Sequence, residues 1–442
     1  MSVAHLIASV DEKTLEEQQT LRRSGGKMSV LRAPWRVLRK PILFLTLFSV
    51  CILTTYASDV EEQAKLTTCE LITYFGFPCE TTAATTDDGY ILDVDRVGTC
   101  VGEDSTTCAK NGTGRNPIIL VPGILSESGS WFVNYPSQSP GFLLAQLGYD
   151  LWAMNTREIA FRSRHKTLSQ DDDRYWQWSF DEIGRYDVAA VVDLVLNATR
   201  ASKVTLLAYS QGLTATLILL STRTEYNEKI DLVVAYGPVA NITHIGFPIR
   251  ELIAISDPLF LLLDPRGDSG YLYLPEAPRA LVELVCGVLQ GQPCSLLLAI
   301  TLLSSPEQLN ETRIPVVLSH YAIGTSYQNL RHFVQINREK DFLMYNYGAS
   351  KNKDRYGQED PPAYDVDQIT VPLALFSSEG DTVANPTDVS LLTERLGPRL
   401  LFNHVVPPKD FRHLDYLVSY QATDFLHKIM IDTIEKYAGT IA

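Results

Sequence analysis

Residues 203–220, KVTLLAYSQGLTATLILL, carry the strongest structural signal in the chain. The segment begins with alternating and β-branched apolar residues, which predict a strand, and it ends in a Leu-, Ala- and Thr-rich run that predicts a helix. Between them, AYSQG resembles the G-x-S-x-G turn, with Ala208 at the first glycine position. A serine at the tip of such a turn exposes its hydroxyl, and the first amide of the helix can bind an oxyanion. Ser210 is therefore a candidate nucleophile.

The segments on either side of this turn alternate between strand and helix patterns. Apolar runs bounded by Pro and Gly predict strands at 116–123, 230–236, 371–381 and 400–406. Other patterns predict helices at 142–147, 186–197, 389–396 and near the C-terminus. Asp88-Gly89, between β-prone residues, predicts a hairpin. This alternation indicates the α/β fold class, with a mainly parallel central sheet and helices on both faces.

The alternation is interrupted between residues 241 and 367. This range contains apolar segments such as ELIAISDPLFLLL and LVELVCGVLQ, joined by Pro- and Gly-containing loops, and few strand signals. We therefore predict a helical cap at 241–367, inserted into a core formed by residues 66–240 and 368–442. The apolar segments 252–263 and 281–303 are expected to form a lid and an acyl groove.

The N-terminal region has a different composition from the rest of the chain. Residues 1–40 form a polar segment in which basic residues gather towards the end, and residues 41–57 form an apolar run. That run is at the short limit for a bilayer core of ~30 Å. Two interpretations fit it: a signal-anchor helix of a type II membrane protein, or a signal peptide that is cleaved after Ala57.

Composition restricts the possible partners. The hydrophobic content of 45% permits a full core, and the net charge of −14 argues against a nucleic-acid partner, since binding phosphates requires a basic face. We expect no nucleic-acid partner and a water-facing body.

The cysteines and the glycosylation sequons indicate an oxidising compartment. Outside the apolar run, the cysteines fall in near neighbours: Cys69 and Cys79, Cys100 and Cys108, Cys286 and Cys294. These pairs are disulfide candidates, although other pairings are possible. No two of them form a C-x-x-C motif, so no metal site is expected. Sequons that agree with a secretory route lie at Asn111, Asn197, Asn241 and Asn310.

A serine nucleophile needs a histidine that accepts its proton and a carboxylate that holds the histidine. In doubly wound hydrolases these residues follow in the order Ser, Asp, His, each on a loop after a strand. Asp381 ends the strand segment VPLALFSSEGD, and His413 lies in the loop KDFRHLDYL after strand 400–406. We predict that Ser210, Asp381 and His413 act as a triad.

Other histidines and aspartates compete for these roles. His404 lies inside a predicted strand and is expected to pack there, whereas His427, on the last helix, is expected to face solvent. His165 lies among cations and is expected at the surface. Asp415 could cap the helix after His413, and Asp388 is expected at a helix start.

The reaction also needs donors for an oxyanion. One is the backbone N–H of Gln211, which follows the candidate nucleophile. The second is expected from the loop after the early strand 116–123, where position selects the N–H of Ile124.

The chain from about Cys69 to the C-terminus resembles the acid lipase family, the gastric and lysosomal acid lipases. The matching segments are GFPCE, DDGYILDVDRV, LVPGILSESGSWF, LGYDLWAMNTR, SRHKTLS, YWQWSFDEIGRYDVAA, YSQG, YGPVA, LSHYAIGTSYQNLRHFVQ, GDTVANPTDV and HLDYL. The resemblance implies an α/β-hydrolase fold with a helical cap. It also implies that the family's nucleophile, acid and base fall on Ser210, Asp381 and His413, its oxyanion donors on Ile124 and Gln211, and its cap cysteine pair on Cys286 and Cys294.

The chain departs from the family pattern beside these residues. The usual H-G before the oxyanion residue is Pro122-Gly123, and the usual G-H-S-Q-G is AYSQG at 208–212. The usual N-x-R-G loop is NTRE, which places Glu158 at the glycine position.

We therefore expect a lipase that hydrolyses carboxylic ester bonds of neutral lipids, triacylglycerol or cholesteryl ester, at a lipid interface and without a metal or organic cofactor. The expected location is the secretory pathway: secreted, lysosomal, or membrane-anchored through residues 41–57 with a lumenal catalytic domain. Two alternatives remain: a catalytically silent lipid-binding homologue, and an acyltransferase that uses the same triad.

Overall fold

The computed structural model describes residues 59–100, 108–109, 116–264, 270–272, 303–321 and 324–439. The predictions on residues 1–40, residues 41–57, Asn111, Cys286, Cys294 and nearly all of the apolar segment 281–303 lie outside these residues. None of the helices in the described ranges combines the length and the apolar character that a membrane span requires.

Within the described residues, nine strands form a central sheet in the order β1-β2-β6-β5-β8-β9-β12-β13, with β7 beside β2. In chain order the strands, including two short pairs outside this sheet, are β1 Cys79–Thr85, β2 Tyr90–Val97, β3 Thr99–Cys100, β4 Cys108–Ala109, β5 Ile118–Val121, β6 Leu151–Met154, β7 Ser163–His165, β8 Val204–Tyr209, β9 Ile230–Tyr236, β10 Tyr271–Leu272, β11 Thr325–Ser326, β12 Leu373–Ser378 and β13 Leu400–Val406. The neighbours β6-β5-β8-β9-β12-β13 pair in parallel, whereas β2 pairs antiparallel with β1, β6 and β7. The predicted α/β class and mainly parallel sheet are confirmed.

Helices follow most of the parallel strands. They are α1 Thr68–Tyr74, α2 Pro140–Gln146, α3 Phe180–Glu182, α4 Ala189–Thr199, α5 Gln211–Thr222, α6 Ile249–Ala254, α7 Ser256–Leu263, α8 Ile314–His320, α9 Tyr327–Glu339, α10 Ala349–Tyr356, α11 Pro386–Leu396, α12 Asp415–Val418 and α13 Lys428–Tyr437. A π-helical turn, Ile183–Val188, joins α3 to α4, so the helix predicted at 186–197 begins earlier than expected.

The central strands are mostly apolar because both faces of the sheet are covered. All of β8 is buried. Successive side chains of a strand point to opposite faces, so Leu206 and Ala208 join one hydrophobic cluster while Leu207 and Tyr209 join the other. This two-sided burial explains why the segment has a continuous apolar sequence, and it fixes the strand that leads to Ser210.

The described residues between β9 and β12 contribute five helices, α6 to α10, and the short pair β10 and β11. They fall in the range 241–367, which we retain as a proposed cap. A disulfide between Cys69 and Cys79 joins α1 to β1. The β3–β4 pairing sets Cys100 opposite Cys108 in register, and a bond between them stays a prediction.

Candidate active site

Ser210 occupies the turn between β8 and α5. Its backbone has φ 53° and ψ −121°, a conformation that non-glycine residues rarely adopt. The Ser210 N–H donates to the Tyr236 carbonyl at 3.0 Å, which ties the turn to the neighbouring strand. Glycine is required two residues later, because a Cβ on Gly212 would lie 2.5 Å from the Val121 carbonyl oxygen. The strand–turn–helix geometry therefore matches the sequence prediction.

The structure brings Ser210, His413 and Asp381 into one hydrogen-bonded chain. His413 Nε2 lies 2.8 Å from Ser210 Oγ, and His413 Nδ1 lies 2.8 Å from Asp381 Oδ2 and 3.1 Å from Oδ1. The three residues are 4%, 5% and 1% exposed, respectively. A serine, an imidazole and a carboxylate thus lie in line in a nearly dry site, although the sequence separates them by up to 203 residues.

Backbone groups hold Asp381 and make room for His413. Asp381 Oδ1 accepts hydrogen bonds from the N–H groups of Val383 and Ala384, each at 2.9 Å. Gly237, with φ +52°, faces the imidazole, and a Cβ there would lie 3.1 Å from His413 Cε1. These contacts orient the carboxylate towards Nδ1, which leaves Nε2 directed at the serine.

The two predicted oxyanion donors belong to two segments next to Ser210. Gln211 is the first residue of α5. Gly123 packs against the turn so closely that a Cβ on it would lie 3.1 Å from Ser210 Cβ, and Ile124 follows it directly. Among the described residues, the N–H groups of Ile124 and Gln211 donate to no protein acceptor. Both amides are therefore available to a ligand oxygen.

Tyr209 is a site residue whose role the sequence reasoning missed. Its hydroxyl donates to the His413 backbone carbonyl at 2.9 Å, and the two rings lie 5.3 Å apart between centroids. The sequence marked Tyr209 only as a departure from the family pattern. A buried tyrosine needs a hydrogen-bond partner, but its sequence position does not identify that partner.

Glu158 is a second residue whose role was missed. Its carboxyl is fully buried and receives hydrogen bonds from Gln211 Nε2 at 3.3 Å, from the Leu125 N–H and from the Thr325 hydroxyl. Burial raises the pKa of Glu158 to about 8. The departure from the family glycine was visible in the sequence, whereas the partners come from three distant segments.

The competing residues have structural environments of their own. Asp415 accepts from the Ser304 hydroxyl, from the Ser305 N–H at 3.1 Å and from the Arg412 N–H at 2.7 Å, and burial raises its pKa to about 7. It connects the segment of the proposed cap that contains Ser304 and Ser305 to the His413 loop. Asp388 lies in the first turn of α11, as expected, and accepts from the His244 N–H at 2.8 Å.

The expectation for His427 was wrong. His427 is completely buried, its Nδ1 lies 3.1 Å from the Tyr236 hydroxyl, and burial lowers its pKa to about 3. A π-helical turn, Thr423–His427, precedes α13. The extra residue in such a turn shifts the phase of the helical pattern, so the helical period assumed from the sequence does not give the buried face.

The described sequons differ in exposure. Asn197 is exposed on α4, whereas Asn241 and Asn310 are half-buried. The Asn310 side chain accepts from the Thr312 N–H at 3.2 Å. Glycosylation at these residues stays a prediction.

Comparison with known proteins identifies the family of the chain. The family model described as a partial alpha/beta-hydrolase lipase region matches residues 68–135. The human lysosomal acid lipase/cholesteryl ester hydrolase is 32% identical over 383 residues, which cover 86% of this chain and 93% of the relative. The chain belongs to the acid lipase family. This membership confirms the predicted resemblance and identifies a carboxylic ester hydrolase.

Further members of the acid lipase family match over a similar extent. Human lipase member M is 31% identical over 380 residues, 85% of this chain and 87% of its own length. Human gastric triacylglycerol lipase is 30% identical over 377 residues, 85% and 92% of the respective chains. A solved structure from Sulfolobus solfataricus is only 13% identical, yet it aligns with a TM-score of 0.50 over 81% of this chain and 99% of its own. The α/β-hydrolase fold is therefore shared well beyond the acid lipases.

Proposed function

We propose that the protein is a serine lipase that hydrolyses neutral-lipid esters through an acyl-enzyme. The observation that carries this proposal is the continuous hydrogen-bonded chain from Ser210 Oγ through His413 to Asp381, with a distance of 2.8 Å on each side of the imidazole. A serine hydroxyl becomes a nucleophile when a histidine accepts its proton and a carboxylate stabilises the resulting imidazolium.

Each residue has a defined role in this mechanism. His413 Nε2 accepts the Ser210 proton while Oγ attacks the ester carbonyl carbon. The developing oxyanion is bound by the N–H groups of Ile124 and Gln211. His413 then donates the proton to the departing alcohol, and a water molecule repeats the sequence to release the acid. Asp381 remains ionised and holds the imidazole in its productive tautomer.

The substrate class is supported by the relatives and by the surface of the proposed cap. Two relatives are named a cholesteryl ester hydrolase and a triacylglycerol lipase. Residues 247–263 expose large apolar side chains: Phe247, Leu252, Ile255, Leu261, Leu262 and Leu263. An apolar surface of this kind suits contact with a lipid interface. We propose triacylglycerols or cholesteryl esters as substrates.

The proposed location is the secretory pathway or the lysosome. A lysosomal relative, the Cys69–Cys79 disulfide and the exposed sequon at Asn197 support it. Whether residues 41–57 are cleaved or anchor the protein is decided by expressing the full chain and sequencing the N-terminus of the product.

The nucleophile is tested with a fluorophosphonate probe and with triolein and cholesteryl oleate as substrates. We expect the wild type to be labelled and active, and Ser210→Ala to be unlabelled with kcat reduced by at least about 10³-fold. Ser221→Ala is the matched control. Ser221 is buried on α5, the helix that follows Ser210, and its hydroxyl donates to the Ile218 carbonyl, away from the site. Labelling of Ser210→Ala would refute the assignment, and an unlabelled, inactive wild type would favour a silent lipid-binding homologue.

A further inference from the structure

Glu158 lies at a point where three parts of the molecule meet. It follows β6 in the loop Asn155-Thr156-Arg157-Glu158, and its side chain is completely buried next to the start of α5. Charged side chains are rarely fully buried without a charged partner. Its position beside the hydrolytic site therefore requires an explanation that the proposed triad does not supply.

The Glu158 carboxyl contacts both sides of the proposed oxyanion hole. Glu158 Oε2 accepts from Gln211 Nε2 at 3.3 Å, and Gln211 supplies one of the backbone donors. The same carboxyl accepts from the N–H of Leu125, the residue directly after Ile124. Leu125 has φ 61°, so its segment adopts a strained conformation that needs external support.

The same cluster extends into the proposed cap. Asn329 Nδ2 donates to Gln211 Oε1 at 2.8 Å and to Thr325 Oγ1 at 3.1 Å, and the Thr325 hydroxyl also bonds to the Glu158 carboxyl. The Gln211 side chain is thus held at both ends, by Glu158 at its nitrogen and by Asn329 at its oxygen.

No cation contacts this carboxyl among the described residues. Gln211, Thr325, Asn329 and the Leu125 amide are neutral, and the hydroxyl of Tyr271 donates to the Glu158 backbone carbonyl at 3.3 Å. The adjacent Arg157 turns away, since its guanidinium binds the carboxylates of Asp88 and Asp187.

We propose that Glu158 is a positioning residue of the hydrolytic site, whose carboxyl fixes the two backbone segments of the oxyanion hole and connects them to the cap. This inference rests on the proposed function. The carboxyl suits the role because its two oxygens accept hydrogen bonds from both segments and from the cap. Burial raises the pKa of Glu158 to about 8, so the neutral form is present at acidic and neutral pH.

Ionisation of Glu158 should lower the kcat of ester hydrolysis. A carboxylate at this site would place a negative charge beside the position where the oxyanion develops, and the low-polarity surroundings would screen it weakly. The transition state would then be destabilised relative to the bound substrate. The wild-type kcat should therefore fall as pH rises through about 8, whereas KM should change little.

The test uses the full chain with p-nitrophenyl butyrate, a soluble ester, between pH 5 and pH 9.5. Glu158→Gln keeps the shape of the side chain and one oxygen acceptor without a group that ionises, and Glu158→Ala removes both oxygens. Asp231→Asn is the matched control, because Asp231 is a buried carboxylate near the start of β9, at the opposite end of the strands, where it accepts from Thr205 Oγ1 at 2.8 Å. Each variant is also labelled with the fluorophosphonate and its unfolding midpoint is measured.

We expect Glu158→Gln to keep the kcat of the wild type at pH 6 within about 3-fold and to lose the alkaline decline. Glu158→Ala should lose about 10–100-fold in kcat with KM within about 2-fold, because the oxyanion donors are misplaced while substrate binding persists. Asp231→Asn should lower the unfolding midpoint without changing the pH profile.

An alkaline decline that Glu158→Gln shares with the wild type, or a wild-type kcat in Glu158→Ala, would overturn the positioning role. These failures are distinct from failure of the proposed function. If only the positioning role fails, the wild type still reacts with the fluorophosphonate at Ser210. If the proposed function fails, the wild type does not react at all.

Discussion

Ser210 owes its place at the tip of a turn to its neighbours as much as to its own side chain. A residue with φ 53° is held in a costly conformation, and the surrounding strands maintain it through the Ser210 N–H bond to Tyr236. The close approach at Gly212 allows α5 to begin directly behind the serine. The strand ends around Ser210 therefore determine the position of its hydroxyl.

Tyr209, the residue before Ser210, supports the base His413 through a hydrogen bond, and this role can be tested. In Tyr209→Phe the donor to the His413 carbonyl is lost, so the loop that carries the imidazole should become less well fixed. We expect kcat to fall about 3- to 10-fold, KM to stay nearly constant and stability to drop by about 1 kcal/mol.

The control for this substitution is Tyr226→Phe. Tyr226 is also a buried tyrosine, and its hydroxyl donates to Asp193 Oδ2 at 2.7 Å, remote from Ser210. It should lose a comparable amount of stability and keep its kcat. Equal kcat for the two variants would mean that the Tyr209 hydroxyl does not position the base.

At the scale of elements, the loop after β6 is fixed by a buried ion network. Arg157 donates to Asp187 Oδ1 from Nε at 2.9 Å and to Asp88 Oδ2 from Nη1 at 2.6 Å. Asp88 lies in the β1–β2 hairpin turn and Asp187 in the π-helical turn before α4. One arginine therefore connects a hairpin, a loop and a helix, and it fixes the residue next to Glu158.

Substitution of Arg157 should lower the free energy of unfolding by an amount that depends on pH. Arg157→Met leaves Asp187 buried without its partner, so we expect a loss of about 3–5 kcal/mol in the free energy of unfolding near pH 8. Burial already raises the pKa of Asp187 to about 6, against the opposing effect of Arg157, and without the arginine it should rise further. The folded variant then binds a proton that the unfolded chain releases, so the loss should be smaller at pH 5 than at pH 8.

Urea unfolding at both pH values measures this difference. Arg174→Met serves as the control, since the Arg174–Asp172 pair lies at the surface and its removal should leave the midpoint unchanged at either pH. A loss for Arg157→Met that is independent of pH would contradict the role given to Asp187.

At the scale of the whole molecule, the described residues 247–263 form an unusually apolar surface. Leu261 and Leu262 are 72% and 76% exposed. A monomeric protein rarely exposes neighbouring large apolar side chains without a binding role. Under the proposed function, this surface contacts lipid.

Substitutions on this surface can separate contact with the lipid interface from hydrolysis of the ester bond. The double substitution Leu261→Asp and Leu262→Asp should lower the hydrolysis of emulsified triolein by about 10-fold or more, because charged side chains oppose contact with an apolar phase. Hydrolysis of soluble p-nitrophenyl butyrate should stay within about 2-fold, since no triad residue is touched. Leu391→Asp, at an exposed leucine on α11, is the control and should leave both rates unchanged. Parallel losses on both substrates would exclude a purely interfacial role.

The sequence by itself determined the order of elements and the residue types of the candidate site. Apolar runs gave β9 and β13 with their observed bounds, because strands of a sheet that helices cover carry mostly apolar residues. The order Ser, Asp, His along the chain gave the three residues that the structure brings together, because each follows a strand whose end faces the same edge of the sheet.

Only the tertiary structure decided the contacts between these segments. The Tyr209 hydroxyl, the Glu158 carboxyl and His427 have partners that lie far away in sequence, and no local period identifies such partners. Burial gives Glu158 its raised pKa and His427 its lowered one, and burial depends on which segments pack around a side chain. The sequence determines the residue types and their order, whereas the protonation and orientation of those residues depend on packing.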